Sequence, residues 1–209
     1  MIKNIIFDLC GPVITIDLDL IDQRFHALGV GVEKPYDLLV GSGLTERFES
    51  DEISSRVFFD EVRSLLGYNL SDEEITDCWN TLITAFPMSH VELLKGVRNH
   101  YRTFLLSNSD EINARFFREE LGRRAGFDFT GQCFEEAFFS HAIGCRKPSL
   151  QAFSHILNKY QLNPEETLMI DDREGHCQGA RKAGLKALRL DPDIDLTQLF
   201  DEDFKLKND

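Results

Sequence analysis

Short apolar runs that each end in polar residues constrain the fold of this chain more than any other feature. The runs cover residues 2–7, 104–106, 137–139, 168–170 and 185–190. Their lengths and composition are typical of buried parallel strands, and functional groups gather at the carboxyl ends of such strands. The chain is therefore expected to contain a parallel sheet with a polar carboxyl edge.

Helical patterns lie between these runs. An amphipathic helix is predicted from Ser149, another from Asn163 and Pro164, and a third after Asp172 that stops at Gly184. Alternation of strands and helices predicts an α/β fold with a doubly wound, Rossmann-like parallel sheet.

Residues 16–88 differ from the rest because no strand is evident among them. Ser54 is predicted to begin one helix, and Ser71 with Glu74 forms a capping box for a second whose apolar stripe continues to Phe86. Ser89 is expected to cap the helix that follows. We therefore predict an α/β core of residues 1–15 and 89–209 with an inserted helical-bundle cap of residues 16–88, in which Trp79 belongs to the apolar core.

Charge and composition exclude several classes of partner. The 209 residues include 36 acidic and 23 basic side chains, a formal net charge of −13 that would repel a nucleic-acid backbone. No apolar run approaches the roughly 20 residues of a membrane span, and the N-terminus lacks a signal-peptide pattern, so we expect a cytoplasmic protein. The five cysteines are odd in number and lack CxxC spacing, which argues against a disulfide framework or a structural zinc site.

Chemistry-bearing residues recur where the strands are predicted to end: Asp8, Ser107, Lys147, and the pair Asp171 and Asp172. Together they provide a nucleophilic carboxylate, a hydroxyl donor, a cation and further carboxylates for a metal, which is the set that phosphoryl transfer through an aspartyl-phosphate requires. Only Arg173 is a basic neighbour of the paired carboxylates in sequence, so Mg²⁺ is the expected counter-ion. The alternatives are helix capping for Asp8, Asp172 and Ser107, and an indirect role for Asp171.

Four motifs in this order resemble the haloacid dehalogenase superfamily, in its phosphatase branch with a helical cap inserted after the first motif. They are FDLCGPVI, FLLSNSD, GCRKPS and MIDDREGHCQGARKAGL, and the resemblance covers nearly the whole chain. More narrowly, the pattern is similar to the branch that contains glucose-1-phosphate phosphatases and the N-terminal phosphatase domain of soluble epoxide hydrolases.

The resemblance implies a role for each matched residue. Asp8 would be the nucleophile and a magnesium ligand, and Lys147 would link the phosphate to it. The main-chain carbonyl of Cys10 and the carboxylate of Asp172 would be further metal ligands, with Asp171 acting through water. Ser107 would bind the phosphoryl group, assisted by Asn108 and the amides of Leu9 and Cys10.

Three positions depart from the family pattern. Cys10 stands where most members carry an acid that protonates the leaving oxygen and then activates water, Pro12 replaces threonine or valine, and His176 replaces aspartate or asparagine. A thiol is a poor general acid for an alkoxide. We therefore expect 4-nitrophenyl phosphate, acyl phosphates and anomeric sugar phosphates, which have good leaving groups, to be hydrolysed faster than serine-like or primary-alcohol esters.

The leading interpretation is a Mg²⁺-dependent phosphatase that hydrolyses a small phosphorylated metabolite, with a sugar phosphate as one candidate, through an aspartyl-phosphate on Asp8. One alternative is a binding protein of the same fold, catalytically weakened by Cys10 and Pro12. The other is a metal-independent haloacid dehalogenase, which the paired carboxylates Asp171 and Asp172 disfavour. The sequence leaves the substrate and the oligomeric state open.

Overall fold

The computed structural model describes residues 1–207. Its strands are β1 (Asn4–Phe7), β2 (Thr15–Ile16), β3 (Ile83–Ala85), β4 (Arg102–Ser107), β5 (Glu136–Phe139), β6 (Thr167–Asp171) and β7 (Lys186–Arg189). Its helices are α1 (Asp19–Ala27), α2 (Pro35–Gly41), α3 (Leu44–Glu49), α4 (Ser55–Leu66), α5 (Asp72–Trp79), α6 (Met88–Val97), α7 (Glu111–Ala125), α8 (Phe129–Cys133), α9 (Ser140–Ile143), α10 (Leu150–Tyr160) and α11 (Glu174–Lys182).

Five strands form one parallel sheet in the order β5-β4-β1-β6-β7. From the central β1, the chain fills one side with β4 and β5 and then crosses to the other side for β6 and β7. The register pairs Phe7 with both Leu105 and Ile170, so the residues that follow these strands come level at one edge. Ligand sites in open α/β sheets lie at the carboxyl edge beside such a reversal of strand order.

Helices cover both faces of the sheet, as a doubly wound fold requires. Ile6 packs with Phe153 and Ile156 of α10 on one face, while Phe7 packs with residues of α6 and α7 on the other. Both faces of the central strands are therefore buried, which explains why these strands read as continuous apolar runs. The predicted α/β class is confirmed.

The five helices α1–α5 fall within the segment expected to form the cap. They pack around Phe58, whose ring stacks on Phe48 at 4.3 Å and meets the edge of Trp79 at 5.0 Å. The capping box of Ser71 and Glu74 forms as predicted, and Ser54 caps α4. Trp79 is buried, and the apolar cluster to which it belongs continues into the core. The exact cap boundaries at 16 and 88 stay predictions.

Local structure differs from expectation at three places. Helix α5 ends at Trp79, and the apolar residues after it form β3, which pairs antiparallel with β2 at the entry to the insertion. The predicted helix at 163 is one 3-10 turn, Pro164–Glu166, because β6 begins immediately after it. Helix α6 starts at Met88 after Pro87, so Ser89 is inside the helix and not its cap.

All five cysteines are free thiols, which agrees with the absence of a predicted disulfide framework. Over residues 1–207, none of the helices combines the length and apolar character needed to cross a membrane.

Candidate active site

Asp8 occupies the centre of the carboxyl edge, directly after β1. Its amide donates to the carbonyl of Ile170, and its Oδ1 accepts a hydrogen bond of 2.7 Å from the amide of Leu9. Only 5% of the residue is exposed. The Asp8 carboxylate faces Lys147 and caps no helix, so the capping alternative considered for it does not describe this structure.

Lys147 is fully buried and bridges two carboxylates. Its Nζ lies 2.8 Å from Asp8 Oδ1 and 2.7 Å from Asp171 Oδ2. Burial alone would lower the pKa of Lys147, but the two carboxylates outweigh burial and raise it, so the ammonium stays charged. Asn108 fixes the backbone at this point, because its side chain donates to the carbonyl of Lys147 and accepts from its amide.

Asp171 holds Lys147 in place and is itself surrounded by donors. Its oxygens accept from the amide of Arg173 at 2.9 Å, from Lys147, and from His176 Nδ1 at 3.0 Å. Burial raises its pKa, but Lys147 and His176 outweigh that effect and keep the pKa of Asp171 below its usual range. Lys147 is thus the counter-ion of this carboxylate, a role that sequence reasoning assigned to Mg²⁺. The saturated oxygens favour a supporting role for Asp171 over direct metal ligation.

His176 sits where it can orient Asp171. Because both atoms near Nδ1 are carboxylate oxygens, this nitrogen carries the ring proton. Burial lowers the pKa of His176 and keeps the ring neutral. Asp8, Asp171 and His176 lie close enough to suggest a metal cluster. However, a ring nitrogen that donates to Asp171 cannot also bind a cation through the same atom, so this triad is not the metal site that the geometry supports.

Asp172 carries a carboxylate oxygen that could bind a metal ion. Its Oδ1 is buried and has no hydrogen-bond partner among the described residues, and burial together with Asp171 raises its pKa. Gly11 packs directly on it, because a Cβ on Gly11 would lie 2.6 Å from the carboxylate carbon. Burial likewise raises the pKa of Asp8 to about 8 against the opposing effect of Lys147, so further positive charge nearby would favour the ionised carboxylate. Asp8 and Asp172 thus form an electron-rich pair that a divalent cation fits.

Ser107 ends β4 beside Asp8. Its Oγ is buried and has no hydrogen-bond partner among the described residues, and it caps no helix. A buried, unpaired hydroxyl at a strand end is costly unless a ligand pairs with it. Ser107 is therefore placed to donate to an anion held next to Asp8.

Cys10 is half-buried two residues after Asp8. Burial and the nearby Asp8 carboxylate raise the pKa of its thiol well above the usual value. The thiol is therefore protonated and unreactive at neutral pH.

A cavity of about 750 Å³ opens over these groups between core and cap. Asp8, Ser107 and Asp172 line its floor, and Tyr36 and Glu49 line its cap side. Lys147 and Asp171 lie beneath the floor, fully buried. This volume is large enough for a small molecule.

Comparison with known proteins agrees with this geometry. The profile of the haloacid dehalogenase-like hydrolases matches residues 2–184. The chain belongs to this family. The predicted recognition, fold and enzyme class are thereby confirmed, while the narrower resemblance to glucose-1-phosphate phosphatases and epoxide hydrolases stays a prediction.

Individual members of the haloacid dehalogenase-like family align along nearly the whole chain. A D-ribitol-5-phosphate phosphatase of Bacteroides thetaiotaomicron is 25% identical over 199 residues, covering 95% of this chain and 96% of that protein. A family enzyme from the same organism, crystallised with magnesium and inorganic phosphate, superposes with a TM-score of 0.86 at 27% identity over 96% of this chain and all of the other. The L-2-haloacid dehalogenase of Xanthobacter autotrophicus shares the fold, with a TM-score of 0.64, 18% identity, and 91% and 78% of the two chains covered.

Sequence reasoning found the residues at the strand ends but missed those that meet them from elsewhere. Arg146 pairs with Glu49 across the cavity, and Trp79 donates to Asp110. Arg146 is next to the predicted Lys147, yet its partner is almost a hundred residues away, so no local pattern connects them. The His176 contact had a usable signal, because a side chain one turn into α11 points back at the end of β6.

Proposed function

We propose that this protein is a Mg²⁺-dependent phosphatase that hydrolyses a small phosphorylated metabolite through an aspartyl-phosphate on Asp8. The observation that carries the proposal is the set of unpaired groups around Asp8. Within residues 1–207, Ser107 Oγ and Asp172 Oδ1 are buried without hydrogen-bond partners, one a donor suited to a phosphoryl oxygen and the other a ligand suited to a cation.

In the first step, an Asp8 carboxylate oxygen attacks phosphorus, and the bond from phosphorus to the leaving oxygen breaks. Lys147 neutralises Asp8 and the incoming phosphate, which would otherwise repel each other. Ser107 donates to a phosphoryl oxygen. In the second step, water attacks phosphorus and Asp8 leaves as a carboxylate; the released phosphate takes up the water's protons and passes one through solvent to the leaving-group oxygen.

Magnesium bound by Asp8, Asp172 and the main-chain carbonyl of Cys10 would add positive charge that keeps Asp8 ionised and stabilises the transferring phosphoryl group. Asp171 contributes indirectly: His176 orients the Asp171 carboxylate, and that carboxylate holds the Lys147 ammonium next to Asp8. Asn108 holds Lys147 by its backbone.

A phosphorylated sugar or sugar alcohol is the substrate class that we favour, with anomeric sugar phosphates reacting faster than primary-alcohol esters such as ribitol 5-phosphate because Cys10 supplies no acid. The D-ribitol-5-phosphate phosphatase of Bacteroides thetaiotaomicron aligns over nearly its whole length at 25% identity. The cavity has space for such a molecule, and polar groups reach it from the cap.

The two alternatives make different use of the same groups. A haloacid dehalogenase would have no need of the unpaired Asp172 carboxylate. A binding protein would have no need of a buried lysine held against the Asp8 carboxylate, an arrangement whose desolvation is costly.

The test is hydrolysis of 4-nitrophenyl phosphate and D-ribitol 5-phosphate by the wild type, with Mg²⁺ and with EDTA, beside Asp8→Asn. We expect turnover that requires Mg²⁺ and falls at least 10³-fold in Asp8→Asn, because the nucleophile is lost. Equal rates in the two proteins would refute the proposal, and halide release from a 2-haloacid in EDTA would favour the dehalogenase.

A further inference from the structure

A charged pair joins cap and core at the cavity. Arg146, immediately before Lys147, places its Nη2 2.8 Å from Glu49 Oε2 at the end of α3 and its Nη1 3.2 Å from Glu46 Oε1. Glu49 lines the cavity, whereas the Glu46 side chain is 66% exposed and lies outside it.

Arg146 lies against one oxygen of the Glu49 carboxylate. Oε2 is buried beside the guanidinium and makes no hydrogen bond among the described residues, while 21% of the side chain is exposed and the residue lines the cavity. The arginine offsets the charge and fixes the side chain, which leaves an oriented hydrogen-bond acceptor on the cap wall.

The neighbouring Tyr36 adds a neutral polar group to the same wall. Burial, with a contribution from Glu49, raises the pKa of Tyr36 to about 12. Its hydroxyl is therefore protonated at neutral pH and can donate or accept a hydrogen bond.

We propose that Glu49, oriented by Arg146, is a specificity-determining residue that accepts hydrogen bonds from hydroxyl groups on the part of the substrate remote from phosphate, and that it rejects substrates bearing a second anionic group there. This inference rests on the proposed phosphatase function. The phosphoryl group itself belongs at the floor, where Lys147 supplies positive charge and Ser107 an unpaired hydroxyl, whereas the cap wall presents the Glu49 carboxylate.

The experiment compares Glu49→Gln with Glu46→Gln as a matched control, since both glutamates pair with Arg146 but only Glu49 faces the cavity. The probes are D-ribitol 5-phosphate, with several hydroxyls, 3-phosphoglycerate, with a carboxylate, and 4-nitrophenyl phosphate, with neither. For Glu49→Gln we expect kcat/KM to fall about tenfold or more with ribitol phosphate, mainly through KM, and to rise with phosphoglycerate. With nitrophenyl phosphate it should stay within about threefold, and Glu46→Gln should match the wild type throughout.

A fall in kcat/KM with ribitol phosphate together with a rise with phosphoglycerate indicates altered specificity, because a structurally loosened cap would lower kcat/KM with both substrates. An equal fall in kcat/KM with all three substrates in Glu49→Gln, or the same changes in Glu46→Gln, would overturn the inference. A loss confined to kcat that grows with the pKa of the leaving group would also overturn it, because Glu49 would then act as a general acid. Failure of the wild type on nitrophenyl phosphate with Mg²⁺ would instead refute the proposed function, and the specificity assignment with it.

Discussion

The residue with the clearest consequence for rate is Cys10. Its thiol pKa is raised by burial, so it supplies neither a proton to an alkoxide nor a base to water. The proposed attack by Asp8 should therefore be fastest on substrates whose leaving-group oxygen departs without being protonated.

Replacing Cys10 by Asp should restore an acid and base at this position. We expect kcat on D-ribitol 5-phosphate to rise by about 10²-fold, within the range that a positioned general acid contributes, with a smaller change on 4-nitrophenyl phosphate. Cys10→Ser serves as the control of similar size, and steady-state kinetics on both substrates is the measurement. An equal effect of the two replacements would show that the acid comes from another group.

A substitution at Gly11 can test the proposed metal site sterically. Its φ of +101° disfavours any side chain, and an added methyl would displace the Asp172 carboxylate. Gly11→Ala should therefore raise the Mg²⁺ concentration for half-maximal activity about tenfold or more. Gly43→Ala is a control, because Gly43 also has positive φ, and no atom of the part of the chain that the structure describes lies within 4 Å of its Cβ position. An unchanged magnesium requirement in Gly11→Ala would argue against Asp172 as a ligand.

At the scale of elements, Asp110 joins α5 of the cap to α7 of the core. Its Oδ2 accepts from Trp79 Nε1 at 2.8 Å, and its Oδ1 accepts from the amides of Ile112 and Asn113. One buried carboxylate thus satisfies the indole and caps α7.

Asp110→Ala should lower the free energy of unfolding by about 2–4 kcal/mol, because it removes a helix cap and leaves a buried indole N–H unpaired. Asp128→Ala removes only the exposed cap of α8 and should cost about 1 kcal/mol. Urea titrations of both variants provide the comparison. A loss for Asp110→Ala no larger than that for Asp128→Ala would contradict the bridging role.

Helices and strands are largely predictable where a local pattern of apolar residues specifies them. The five sheet strands are found near the predicted runs because burial on both faces makes each strand apolar throughout. β3 was missed because Ile83 and Phe86 also continue the helical stripe from Ile75, and only pairing with β2 selects the strand. The Glu49 contact with Arg146 depends on how the cap sits on the core, which no local pattern encodes.

At the scale of the whole molecule, cap and core share one apolar cluster, and the cavity lies where they meet. The chain carries a formal charge of −13, and Asp8, Asp171 and Asp172 concentrate acidic groups at the carboxyl edge of the sheet. Lys147 pairs with both Asp8 and Asp171, and His176 donates to Asp171, so Asp172 Oδ1 is the carboxylate oxygen of this group that is buried without a hydrogen-bond partner among residues 1–207. The proposed cation would bind at Asp8 and Asp172.

In the proposed mechanism Asp8 carries the phosphoryl group, and Cys10 makes that intermediate observable. With 4-nitrophenyl phosphate the first step needs no acid, whereas the second lacks a good base, so the phosphorylated enzyme should accumulate. Rapid mixing with Mg²⁺ should show a burst of nitrophenolate close to one per active site. Acid quenching followed by peptide mass spectrometry should place a phosphoryl group on Asp8, and Asp8→Asn should show neither. A phosphoryl group on any other residue, or an undiminished burst in Asp8→Asn, would contradict the account.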